Sequence, residues 1–225
     1  MRKLVTLLVC SSLPFVIGCA AVQSVEIDPA QLLTGTWDNN AQMASVPQAL
    51  KRPPVAGGAY EWIDGQVASF FPVTVPALTM GGGKAMYLVW RSGAPSGPVS
   101  RQRLWVFRTM TDGQTGMDFY AFKNPQPFEL SIADGEQFKA ITVDDLTAYG
   151  PLCTLPVIKT STGWSASIPQ TCAITARSGR KMVLSARIVL DGDTLSYSEA
   201  GILETGVPAF KVPGGPAYRF DKMRR

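Results

Sequence analysis

The sequence predicts an all-β chain, an antiparallel barrel of roughly ten strands with one or two short helices. Short runs of alternating polar and apolar residues recur along the chain, parted by Gly, Pro, Asn and Asp turns. The 21 Gly and 17 Pro are spread through 225 residues with no repeat and no low-complexity block. The length left after a removable N-terminal segment suits one large all-β domain.

Residues 1–18 carry a charged start, Arg2 and Lys3, then apolar runs from Leu4 to Val9 and from Leu13 to Ile17. The apolar stretch is too short to span a membrane as a helix. Val16, Ile17, Gly18 and Cys19 fit a lipobox, in which Cys19 becomes lipidated. The other reading is a plain secretory signal cut near Ala20 or Ala21. The expected division is a lipoprotein signal over 1–18, a tether over 19–31 and a barrel domain over 32–225. Lipidation would anchor the chain in the cell envelope, and Ala20 suits the periplasmic face of the outer membrane. Loss of Arg2 and Lys3 lowers the formal charge from +4 to +2. That near-neutral balance offers no clustered basic face for nucleic acid.

In chain order, Asp28 and Pro29 predict a cap and first turn for a helix through Leu33. Asn39 to Leu50 has helix character broken by Pro47. Tyr60 to Ile63 and Gln66 to Val75 predict a hairpin about Asp64 and Gly65, with Pro72 at an edge or strand end. Gly81 to Lys84 is a turn before the strand Ala85 to Arg91; it lacks the spaced glycines and hydroxyl of a phosphate loop. Ser100 to Thr109 and Met117 to Phe122 are strands. Thr142 to Asp145 predicts a capped helix to about Tyr149. Leu155 to Thr160, Gly163 to Ile168, Thr171 to Arg177, Lys181 to Leu190, Thr194 to Ser198 and Ala217 to Phe220 complete the strands. A loop carrying Gly201 and Gly206 joins the last two.

The stretch from Ser100 to Thr109 holds the main candidate site. Its period of two places Arg101, Arg103, Trp105 and Phe107 on one face. Two guanidinium groups beside two aromatic rings, facing into a wide barrel, suit a flat, acidic, mostly apolar ligand. Tyr87 and Tyr120 are candidate flat walls on neighbouring strands, with the inward set undetermined by sequence. An ordinary strand with exposed arginines gives the same pattern. Gly35, Thr36 and Trp37 match a Gly-x-Trp near the start of the body, a lipocalin-like (calycin) feature. Arg219 on the last strand is the expected cation–π partner of Trp37.

The chain has no His. That excludes Ser-His-Asp and Cys-His catalysis and imidazole zinc sites, so no metal is expected. Cys153 and Cys172 remain in an oxidising compartment, and a disulfide between them is expected. It would close a loop of roughly 20 residues worth about 3 kcal/mol. The alternative is a free nucleophilic thiol. Asp144 with Asp145, and Asp191 with Asp193, belong to a helix start and a hairpin turn.

Several separated segments together resemble the CpcT/CpeT family, the T-type phycobiliprotein chromophore lyases. They are Leu32 to Asn39 continuing to Gln42; Arg101, Gln102 and Arg103; Tyr120 to Pro125; Leu152 to Pro156 with Gly163, Trp164 and Cys172; and Gly214 to Phe220. The resemblance covers nearly all of 32–221. It implies a calyx-shaped antiparallel barrel that binds a bilin, a linear tetrapyrrole, and helps attach it to a cysteine of an acceptor phycobiliprotein. The bilin would be a bound substrate, with no intrinsic cofactor. Its propionates would suit Arg101 and Arg103. The sequence departs from the family pattern in three ways. No acid lies in Met86 to Arg91, Ser100 replaces an aromatic, and the lipobox directs the chain to the envelope. Two other functions stay open: a non-catalytic envelope lipoprotein binding another amphipathic molecule, and a filled structural barrel. No catalytic residue is named.

Overall fold

A computed structural model describes residues 28–51, 62–129, 135–176 and 179–224. The expected signal segment, Cys19 and most of the tether lie outside these residues. Thirteen strands are described: β1 (Gly35–Asp38), β2 (Gln66–Val73), β3 (Lys84–Ser92), β4 (Val99–Thr109), β5 (Thr115–Phe122), β6 (Leu146–Ala148), β7 (Leu155–Lys159), β8 (Gly163–Ser167), β9 (Ala173–Thr175), β10 (Lys181–Asp191), β11 (Thr194–Leu203), β12 (Pro208–Val212) and β13 (Tyr218–Lys222). Ten of them close a ring of antiparallel neighbours, β1-β2-β3-β4-β5-β7-β8-β10-β11-β13, with β13 returning to β1. The order round the ring is sequential, as hairpin-linked strands require. The three short strands β6, β9 and β12 pair outside the ring with β5, β10 and β11.

Alternation decides what fills the ring. Paired residues of neighbouring strands share a face. Trp90 opposite Arg101, Leu88 opposite Arg103 and Met86 opposite Trp105 therefore all point inward. So do Trp37, Phe107, Met117, Trp164, Ile188, Leu190, Leu195, Tyr197, Tyr218 and Phe220, all buried in one apolar cluster. The other face of β3 and β4 presents Tyr87, Val89, Leu104 and Val106. It is buried with Phe138, Ile141 and Leu146 of an outer layer. That layer explains why β3 is buried on both faces.

The helices are short. α1 (Pro29–Leu33), α2 (Asn40–Ser45), α3 (Pro76–Thr79), α4 (Gln126–Glu129) and α5 (Glu136–Lys139) run four to six residues each. α1 forms as its sequence predicts, with the Asp28 carboxylate accepting from the Ala30 amide at 3.1 Å and Pro29 at the first turn. Ala30 and Leu33 close one end of the barrel, the floor, so packing begins ahead of residue 32. Trp37 plugs the same end, its indole donating to the Leu33 carbonyl at 2.9 Å.

Several local expectations give way. Residues 62–65 form no strand, so the predicted hairpin about Gly65 is absent. The Ile63 amide instead bonds the Leu50 carbonyl at 2.9 Å, and β2 takes β1 and β3 as partners. Pro72 pairs with β3 beyond the reach of β1, a one-sided position that tolerates its missing donor. The capping box at Thr142 and Asp145 is present, but the helix is a single 3-10 turn, Val143–Asp145. The chain then enters β6, because Leu146 is drawn into the outer apolar layer. Gly201 lies inside β11 at a bulge rather than in a loop. A Cβ there would sit 2.6 Å from the Met182 sulfur and collide with the Phe210 ring, so the strand needs glycine to let β12 approach.

Cys153 and Cys172 form the expected disulfide. Both are buried with Met182 and Leu184. The pairing removes the reading in which either is a free nucleophile.

Candidate functional site

The end of the barrel opposite α1 carries the polar interior. Alternation along β4 brings Arg101 and Arg103 to the inner wall, as the sequence predicts. The Arg101 guanidinium lies 5.2 Å from the Trp90 ring centre and 5.8 Å from that of Tyr197. Its Nη1 donates to the Tyr197 hydroxyl at 2.9 Å and pairs with the Glu199 carboxylate. The Tyr197 hydroxyl donates to the same carboxylate at 2.5 Å. Trp105 stacks on Tyr197 with ring centres 6.3 Å apart. Trp90 packs edge-on against Tyr197 and Tyr218.

This cluster is buried and electrostatically tight. The Arg101 and Glu199 side chains are only 13% and 12% exposed, so water screens their pair weakly. Burial raises the Glu199 pKa, but Arg101 and the Tyr197 hydroxyl outweigh it and hold the carboxyl below the usual range. Burial likewise opposes the Arg101 charge, and Tyr197 and Glu199 leave its pKa above the ordinary guanidinium value. Burial pushes the Tyr197 phenol up, and the neighbouring Glu199 pushes the same way. Arg101 and Glu199 are therefore a fixed ion pair, and Tyr197 is a neutral donor.

Arg103 differs. It is half-buried, its Nη1 donates to the Gln102 carbonyl at 2.8 Å, and it makes no ion pair among the described residues. Its charge still acts on Glu199 and Tyr197 from a distance. The Trp90 indole Nε1 is buried without an acceptor among the described residues, an uncommon state for that donor. A cavity of about 260 Å³ opens beside the upper end of β4, lined by Arg101, Arg103, Phe122 and Gln126 among others. It exists because β4 pairs with β5 only from Leu104 onward.

The rim beside it is braced. Tyr218 donates its hydroxyl to the Asp64 carboxylate, and Gln66 donates to the same carboxylate at 2.6 Å. Ser100 reaches Gln66 at 2.8 Å. Asn39 accepts from the Gln66 amide at 2.7 Å and donates to the Asp64 carbonyl at 2.8 Å. Gln42 clamps the last strand by bonding the Ala217 carbonyl and the Arg219 amide at 2.8 and 2.9 Å. Asn39 and Gln42 thus hold the frame of the mouth.

Three predicted site residues are placed elsewhere. Tyr87 and Tyr120 lie on the outer face of their strands, away from Arg101 and Arg103. Tyr87 pairs with Leu104 on β4, as does Tyr120 from the other side. The Tyr87 hydroxyl accepts from Gln102 at 2.7 Å. Arg219 is exposed, and Lys222 takes the predicted cation–π place, its Nζ 4.9 Å from the Trp37 ring centre. Trp37 and Lys222 are register partners, whereas Arg219 alternates outward.

Glu199 is the site residue that the sequence reading missed. It stands 98 residues from Arg101. A local signal exists: on β11, Glu199 continues the alternation of Leu195 and Tyr197, so an acid falls on an otherwise apolar inner face. It supplies the carboxylate that pairs with Arg101. Among the described residues no three His, Cys, Asp or Glu side chains gather as metal ligands. No described helix is long and apolar enough to cross a membrane.

The ring closure and polar mouth define the class as an antiparallel calyx-type barrel. No family model matches the chain, and no curated protein matches it. Among solved structures, the selenomethionine form of the CRL protein of Arabidopsis is similar, with a TM-score of 0.62 and 13% identity. The match covers 86% of this chain and 95% of that one. At that identity the likeness concerns the fold.

Proposed function

We propose that the chain is a CpcT/CpeT-like bilin-binding lipoprotein, anchored through Cys19, that holds a linear tetrapyrrole at the barrel mouth for attachment to an acceptor protein's cysteine. One observation carries this reading. The inner face of β4 sets two guanidinium groups at the mouth, Arg101 over the Trp90 and Tyr197 rings and Arg103 beside it, and Glu199 neutralises only Arg101. Arg103 is left to receive a propionate at the cavity it lines with Phe122, whose ring can lie against a flat chromophore. Both described cysteines are locked in the disulfide, so the chromophore's thioether forms on the acceptor.

Incubation of the purified mature chain with a bilin tests this. A saturable, red-shifted visible spectrum at micromolar protein is expected, weakened roughly tenfold in Arg103→Ala, as for loss of a charged hydrogen bond. An unchanged spectrum overturns the proposal.

A second reading rests on the filled lower barrel and on the pre-formed Arg101–Glu199 pair. These features suit a non-catalytic envelope carrier of another amphipathic anion. Saturable binding of a long-chain fatty acid, competing with bilin and equally sensitive to Arg103→Ala, would favour it.

A further inference from the structure

The wall of the barrel is broken on the far edge of β5. β5 pairs with β7 through Gly116 and Met117, and with β6 through Tyr120, Ala121 and Phe122. Between them Asp118 and Phe119 have no strand partner on that edge. The chain from Tyr149 to Thr154 crosses the break as a loop and a 3-10 turn. Gly150, at φ +83°, makes the turn that starts it. Cys153 ties the crossing segment to Cys172, ahead of β9.

A cavity of about 330 Å³ occupies the break. It shares no lining residue with the cavity at the mouth. Residues from both faces of β5 line it: Asp118 and Tyr120 from the outer face, Phe119 from the inner. Only an open strand edge allows that. Its aromatic wall is Tyr149 stacked on Phe119, with ring centres 4.6 Å apart. Its polar wall is Arg108, whose Nε bonds Asp118 at 2.5 Å and whose Nη2 reaches Thr154 at 3.3 Å. The remaining nitrogen, Nη1, makes no hydrogen bond among the described residues, and the Arg108 side chain is 39% exposed. Burial, and then the neighbouring Asp118, keep the Tyr120 phenol protonated and able to donate.

We propose that this break is a second binding site, separate from the mouth, for a small planar aromatic compound bearing an oxygen acceptor. Its ring lies against Tyr149 and Phe119, and its oxygen accepts from Arg108 Nη1 and the Tyr120 hydroxyl. Asp118 offsets the Arg108 charge, so the donors orient the ligand more than they attract a net anion. A cavity of this size fits one or two rings, near the lower end of small-molecule sites. The site stands whether or not the mouth binds a bilin.

The test is a fluorescence titration of the purified mature chain with 6-propionyl-2-(dimethylamino)naphthalene, a planar, uncharged two-ring aromatic with a carbonyl acceptor. Saturable enhancement at micromolar concentration is expected in the wild type and in Arg103→Ala. Ala148→Trp fills the cavity from an exposed position, so the fold tolerates it. That variant should bind at least tenfold more weakly while melting at the wild-type temperature, and Tyr149→Ala should weaken binding too. The proposal is overturned if the wild type shows no saturable signal, if Ala148→Trp binds as tightly as the wild type, or if Arg103→Ala abolishes the signal.

Discussion

Arg101 is the residue on which the mouth turns, because its charge is buried and has one anionic partner. Removing one member of a buried ion pair strands the other in a low-dielectric site. Arg101→Ala is expected to lower unfolding stability by about 3 kcal/mol, measured by urea denaturation at pH 7. The same pair sets an acid limit. The folded Glu199 carboxyl is held below the ordinary value of 4.5, so its contribution is complete above that pH. It is lost as pH falls from there through the lowered folded pKa. Glu199→Gln should start less stable at pH 7 and fall less steeply than wild type below pH 4.5. Parallel acid limbs in the two proteins would count against a charged Glu199. Arg103→Ala, by contrast, breaks no ion pair among the described residues and should leave stability within about 0.5 kcal/mol of wild type. That difference makes it the clean probe of binding.

At the scale of elements, the disulfide bridges the part of the wall that lacks strand pairing. Replacing Cys153 and Cys172 together by Ala is expected to cost about 3 kcal/mol, the loop-closure value for a cross-link of this span. A melting temperature unchanged in the double variant would show that the apolar packing of Met182 and Leu184 alone holds the seam. The elements themselves were legible where one rule governed them. β4 reads from its alternation because its inner face alone joins charge to rings. α1 reads from Asp28 and Pro29 because a cap and a first-turn proline act within a few residues. The hairpin at Gly65 misread because Ile63 and Asp64 are claimed by distant partners, Leu50 and Tyr218. Tyr87 could not be assigned a face because β3 is apolar on both sides, which erases the period-two signal, and Tyr120 could not because β5 sets Phe119, Tyr120, Ala121 and Phe122 in an unbroken apolar run. Lys222 rather than Arg219 meets Trp37 because Lys222 shares the inward face of Tyr218 and Phe220, whereas Arg219 alternates outward. Glu199 pairs with Arg101 only through ring closure, a contact that no local pattern encodes.

For the whole molecule, closure gives the barrel two unlike ends. α1, Trp37 and Lys222 stop the floor, and the arginine cluster opens at the mouth. The proposed anchor enters at the floor, since Asp28 caps α1 there. Nine residues from Cys19 to Asp28 can reach at most about 30 Å, so an anchor at Cys19 would keep the floor nearer the lipid and leave the mouth to the aqueous side. A ligand or acceptor would then reach the mouth without crossing the membrane surface. Single cysteines report the orientation: Ser96→Cys in the β3–β4 turn at the mouth, and Asp112→Cys in the β4–β5 turn at the floor. On lipidated protein in vesicles, a bulky maleimide polymer should label Cys at position 96 as fast as in the Cys19→Ser soluble form. Labelling at position 112 should slow several-fold on vesicles alone. Equal rates at both positions would mean that the tether imposes no orientation, and slower labelling at position 96 would place the mouth against the membrane.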